Sequence, residues 1–181
     1  MKKFMKKMFS ITFMFMFLLV SVFCSDKASA LTNASTIASY YFSGSIASWN
    51  HEKQWTDYTH IGSANYLRVD INTSGGDTFD LRFVAIDTYP SEYKILAQKK
   101  SISAKGNSYT FYFIPPNGSC PGSSSQCITV PSYYSGDSGI YLSTNNNIAN
   151  DFNVQYGIEV HNGSLLGGNL TVSGTYTFMN Y

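Results

Sequence analysis

Both tryptophans of the chain fall in one short stretch, SWNHEKQWTDYTHI, where Trp49 and Trp55 flank His51 and Lys53 and Tyr58 follows close behind. Side chains alternate along extended backbone, so a continuous strand here sets Trp49 and Trp55 on one face. Aromatic rings interleaved with donors and acceptors stack on sugars or grip peptides well, because they offer a large contact area while losing few rotamers. Trp49, Trp55 and Tyr58 are therefore the candidate ligand contacts. The rival use is structural, since a tryptophan also seals the end of a small β domain.

Other chemistries find weaker support. Glycoside hydrolysis needs two carboxyls placed across a cleft. Asp70, Asp80 and Glu159 occupy polar positions of strands, where acids are ordinarily just solvated, so no catalytic couple is assigned. Residues 136–139, Gly-Asp-Ser-Gly, resemble the nucleophile segment of chymotrypsin-like serine proteases, which would make Ser138 the nucleophile. That family's general-base histidine needs a small-residue context that neither His51 nor His60 offers, and Gly, Asp and Ser are ordinary turn formers. His51, His60 and His161 show no metal-ligand spacing. Asp137, Asn145, Asn147, Asn150 and Asp151 form the one oxygen-rich group suited to calcium, yet asparagine-rich turns need no ion. No catalytic residue, metal or cofactor is assigned, and the balance favours a non-enzymatic role.

Residues 1–30 read as a secretory signal. Lys2, Lys3, Lys6 and Lys7 precede the apolar run SITFMFMFLLVSVF, and Ala28-Ser29-Ala30 supplies a small-residue cleavage site. Phe23 stands before Cys24 where a lipoprotein signal wants a small residue. The expectation is cleavage after Ala30 by a bacterial exporter, no transmembrane segment in the mature chain, and a secreted or surface-associated protein. Removing Lys2, Lys3, Lys6, Lys7, Lys27 and Asp26 takes the 12 basic and 11 acidic side chains to 7 and 10. With no long basic run among the remainder, nucleic-acid binding by phosphate neutralisation is disfavoured.

The elements that must position any site are strands. In YLRVDIN, Leu67, Val69 and Ile71 alternate with Arg68, Asp70 and Asn72; DFNVQYGIEV puts Phe152, Val154, Tyr156, Ile158 and Val160 on one face; NLTVSGTYTFMN sets Leu170, Val172, Tyr176 and Phe178 against Thr171, Ser173, Thr175 and Thr177. These are half-buried strands with polar outer faces. No segment carries an apolar stripe at helical spacing. Residues 73–77 and 104–107 read as hairpin turns, and His161-Asn162-Gly163-Ser164 starts the last connection. The pattern predicts an all-β, single-domain antiparallel sandwich or jelly roll of about eight strands over residues 31–181, with a closed barrel second.

Cys120 and Cys127 are the only cysteines left after the signal, and an exported protein pairs them as a disulfide. They close a Gly/Ser-rich loop that reads as a long hairpin tip and a second rim for ligand. Taken together, the sequence suggests an extracellular module that binds a glycan, wall or protein surface. A membrane-acting toxin, a small hydrolase and a matrix component are the rival classes. In a eukaryotic host Asn33, Asn72, Asn117, Asn162 and Asn169 would each begin an Asn-x-Ser/Thr acceptor site.

Overall fold

The computed structural model describes residues 34–49, 51–56, 61, 63–88, 91–135, 140–150, 154–164 and 168–181. The expected signal segment, Tyr58, His60, the 136–139 turn and Asp151 lie outside them. Among the described residues eleven strands form: β1 (Ser35–Ile46), β2 (Glu52–Thr56), β3 (Tyr66–Ser74), β4 (Thr78–Thr88), β5 (Ser91–Ser103), β6 (Ser108–Ile114), β7 (Cys127–Thr129), β8 (Tyr133–Ser135), β9 (Ile140–Ser143), β10 (Val154–Asn162) and β11 (Leu170–Asn180). One sheet has the order β1-β11-β3-β6-β7, a second the order β2-β10-β4-β5, and β8 pairs with β9. Every pairing is antiparallel except β6 with β7.

Alternation explains which face each strand buries. Leu67, Val69 and Ile71 of β3 are buried while Arg68 and Asn72 are exposed. The two apolar faces meet in one core. Phe83 of β4 lies 5.7 Å from Phe113 of β6 and 6.3 Å from Phe178 of β11, centroid to centroid, and 6.0 Å from Tyr156 of β10. Burying each such ring contributes about 1.5–3 kcal/mol. The chain is thus nearly all β, as the alternation predicts. The ladders of the two main sheets do not join among the described residues. Among the described residues the count exceeds eight by three, because β2, β7 and β8, 5, 3 and 3 residues long, are too short for alternation to register.

The turns differ from the expected hairpins in what they connect. Residues 73–77 carry the chain out of β3 in the five-stranded sheet into β4 in the four-stranded one, and residues 104–107 carry it back from β5 to β6. Gly75 and Gly76 do adopt left-handed φ values of +70° and +67°, and a Cβ on Gly75 would stand 2.3 Å from the Asn169 carbonyl oxygen. Local sequence sets the reversal. The cover available to the next apolar row sets the sheet.

The disulfide between Cys120 and Cys127 is present, with its Cα atoms 6.0 Å apart. Its loop is not a hairpin tip. β6 stops before Pro115 and Pro116, and the chain arches back so that β7 runs parallel to β6, with Cys127 beside Tyr112. A parallel return needs a connection of about a dozen residues, which accounts for the length of this one. The arch is pinned by Gly118 N–H to the Pro115 carbonyl (2.9 Å) and Asn117 N–H to the Asn145 carbonyl (3.0 Å). Closing a loop of this size stabilises by roughly 2.5 kcal/mol in the chain-entropy picture. Replacing both cysteines by serine is expected to lower the unfolding free energy by about that amount. Urea denaturation of the two proteins checks it, and coincident midpoints would refute it.

Candidate functional site

The chain leaves β1 at Ile46, turns at Ser48 and Trp49, and begins β2 at Glu52. The tryptophan stretch is therefore not one continuous strand, and alternation does not place its two indoles on a common face. Trp49 is 68% exposed at φ +72°. A bulky side chain holds that left-handed conformation at a cost of about 1–3 kcal/mol. Trp55, on β2, turns inward instead: its ring lies 5.1 Å from Phe42, and Lys53 Nζ stands 5.5 Å from the indole centroid. One tryptophan packs against the core and the other projects into solvent. Tyr58 lies outside the described residues.

The Trp49 turn rests on two buried polar side chains. Asn162 ends β10 on the parity of Val154, Tyr156, Ile158 and Val160, so its carboxamide enters the apolar interior and is fully buried. Its Nδ2 donates toward the carbonyls of Ile46 (3.2 Å), Ala47 (3.1 Å) and Gly168 (3.2 Å), while Oδ1 accepts the Ser164 N–H (3.1 Å). The Asn162 backbone N–H donates to the His51 carbonyl (2.8 Å). Ser164 extends the knot: its Oγ accepts the Asp77 N–H (2.7 Å), and its carbonyl accepts the Trp49 N–H (3.2 Å). Both ends of the β1–β2 turn are thereby tied to the β3–β4 turn and to the β10–β11 connection.

A second network fixes β2 from the outer face of its sheet. Glu159 of β10 stands in register with Arg82 of β4 and Gln54 of β2. Its carboxylate, fully buried, accepts hydrogen bonds from Gln54 Nε2 (2.6 Å), Tyr93 Oη (2.6 Å) and Arg82 Nη1. Arg82 Nη1 also reaches Glu52 (3.1 Å). Burial alone pushes the Glu159 carboxyl up, but the bonds from Tyr93, Gln54 and Arg82 outweigh it and hold the carboxyl below its ordinary value. Burial and the bond to Glu159 push the Tyr93 hydroxyl well up. Glu159 is thus an ionised, fully engaged acceptor, poor material for a general acid or base near neutrality. The expectation that it is a solvated polar-face acid fails because three neighbouring strands each supply it a donor. Asp70 stands apart, on β3 of the other sheet, paired with Arg68 (2.9 Å).

The remaining candidates take up structural places. Asn145 Oδ1 accepts the Ser132 hydroxyl (2.7 Å) and Asn147 Oδ1 accepts Asn65 Nδ2 (2.8 Å), so the asparagine turn serves as a latch between loops. Asp137 and Asp151 lie outside the described residues, among which no group of three metal-ligating side chains occurs. His161 faces Asp80 at 3.7 Å. Tyr41 is exposed, whereas Tyr40 and Tyr176 pack on each other 5.1 Å apart. No helix among the described residues is long and apolar enough to cross a membrane. No family model, curated protein or solved structure matches the chain.

Two outcomes test these networks. Asn162→Ala removes the two Nδ2 hydrogens shared among the Ile46, Ala47 and Gly168 carbonyls and the acceptor of the Ser164 N–H, and is expected to cost about 2–4 kcal/mol of stability in urea melts. A loss below 1 kcal/mol would show that water replaces the carboxamide. Because the Glu159 pKa is lowered on folding, its contribution is present above the ordinary value of 4.5 and is lost as pH falls through the lower folded value. Glu159→Gln should lower stability by about 3 kcal/mol at neutral pH and flatten the acid limb of the stability profile. An acid limb identical to that of the wild type would overturn the assignment.

Proposed function

We propose that this protein is a secreted single-domain β-sandwich that binds a glycan, wall or protein surface outside the cell, with Trp49 as its anchor. The observation that carries this reading is the exposed indole held in a left-handed backbone conformation by the Ser164 carbonyl. Strain of that kind persists only where the surroundings over-determine it, and it clusters at ligand contacts. A pre-positioned ring also avoids part of the ordering cost, about 0.5–1.5 kcal/mol per side chain, that a mobile one pays on binding. Trp55 supports the anchor by packing β2 onto Phe42, and Tyr58 remains a candidate neighbour on the same segment. The signal-like start and the disulfide suit an extracellular setting. β11, whose small-polar alternation suits a membrane hairpin, is paired on both edges with β1 and β3 and buries its apolar row, so the fold gives that alternative no separate support.

Glycine meets no penalty at a positive φ, so Trp49→Gly separates strain from binding. It is expected to raise stability by up to about 1 kcal/mol while cutting binding to extracted envelope fractions at least about tenfold. Trp55→Ala, by contrast, should cost about 2 kcal/mol of stability through lost packing. Sedimentation of the purified protein with each fraction reads the binding. Undiminished binding by both Trp49→Gly and Trp49→Ala across every fraction would sink the proposal.

A further inference from the structure

β6 is covered on one edge by β3 from Ser108 to Phe113, but β7 covers the other edge only beside Tyr112, Phe113 and Ile114. The Thr73 N–H bonds the Asn107 carbonyl at 3.0 Å, which sets the phase of the antiparallel ladder. Hydrogen-bonded pairs then recur at every second residue, at Ile71 with Tyr109 and at Val69 with Phe111. Tyr109 and Phe111 therefore direct their backbone groups toward β3. Those of Ser108 and Thr110 point the opposite way, the direction in which the Ile114 carbonyl accepts Val130 N–H (2.7 Å). No strand among the described residues pairs with that side of Ser108 or Thr110.

The crosslinked loop keeps this edge open. The chain pairs with β6 only from Cys127, and Ser124–Gln126 before it form a 3-10 turn in place of a further stretch of strand. Gln126 Oε1 holds the turn closed by accepting the Ser123 N–H (2.9 Å), and the disulfide fixes its base. Between the turn and β5 lies a cavity of about 410 Å³, lined by Ser108, Thr110, Lys99, Ile102, Ser125 and Gln126. It is in line with β7, where the next stretch of a paired strand would run. Lys99 forms no ion pair among the described residues; its Nζ reaches only the Ser125 carbonyl, at 3.4 Å.

We propose that this slot binds an extended acidic peptide of another protein, which adds to β6 as a strand. The peptide exchanges backbone hydrogen bonds with Ser108 and Thr110, sets an apolar side chain toward Ile102 and Phe111, and places a carboxylate at Lys99. Strand addition of this kind draws affinity from the main chain and specificity from alternate side chains. The site is independent of Trp49 and would stand if the anchor proposed there failed.

A displayed library of random linear peptides, panned against the purified full chain, is the probe. Enriched sequences are expected to carry an acid among alternating apolar residues. Thr110→Pro removes a donor that faces away from β3, a position where an edge strand tolerates proline, and should weaken those peptides about tenfold or more. Lys99→Glu should weaken them comparably, and Trp49→Ala should leave their affinity unchanged. Melting temperatures establish that each variant folds. If Thr110→Pro does not, methylating alternate backbone nitrogens of the peptide substitutes for it, with affinity lost in one phase and kept in the other. The proposal is overturned by no enrichment over an unrelated control protein, or by peptides indifferent to Lys99→Glu and to both backbone changes. Peptides that depend on Trp49 would also overturn it, as would a sedimenting dimer that Thr110→Pro dissolves, since a second copy would then be the occupant.

Discussion

Because Asn162 falls on the apolar parity of β10, its carboxamide enters a region where bulk water cannot serve it, and the surrounding turns must supply the partners. The requirement runs both ways. The carbonyls of Ile46, Ala47 and Gly168 lie close enough to be used only if β1, the Trp49 turn and the last connection converge on one point. Ser164 repeats the logic one step further out, reaching the turn that links β3 to β4. At this end of the fold the two sheets are joined by directional bonds, whereas in the middle they are joined by non-directional contact among Phe83, Phe113, Phe178 and Tyr156. The first kind determines where a side chain such as Trp49 points; the second supplies most of the stability.

The strands were readable in the sequence because alternation is a local signal, and β3, β10 and β11 bury the described residues of the rows their patterns predict. What joins them was not. Residues 73–77 carry the glycines of a tight turn whether the next strand pairs with its predecessor or crosses to the other sheet, so a turn motif cannot distinguish the two. The parallel return of β7 was hidden for the same reason. Glu159 is a different case: the polar row of β10 reads as solvated, and only the convergence of Arg82, Gln54 and Tyr93 from three other strands makes a buried acceptor of it. Asn162 did leave a trace. A polar residue two positions beyond Val160, on the buried parity, marks a side chain that must find its partners inside, although the same residues also spell a turn. The left-handed φ of Trp49 had no sequence signature, since nothing in its neighbours demands it.

Topology carries a kinetic meaning as well. β1 pairs along its length with β11, and most connections change sheets, so few native contacts can form between chain neighbours. Loop-closure entropy must be met before these distant pairings reward it, which places such a topology among the slower-folding ones. The β4–β5 pair, contiguous in sequence and the longest local pairing, is the natural early piece.

Asn162 also has a meaning for how the protein can be made. Asn162-Gly163-Ser164 is a glycan acceptor sequence, and in a eukaryotic secretory route the sugar is attached to the unfolded chain as it emerges. Attachment would convert the very nitrogen that bonds Ile46, Ala47 and Gly168 into the root of a bulky polar branch, with no room for it in the interior. The three other acceptor asparagines among the described residues, Asn72, Asn117 and Asn169, are exposed and could carry sugar without such conflict. At Asn162 the order of events decides the outcome: a chain that folds first is protected, and a chain modified first cannot close.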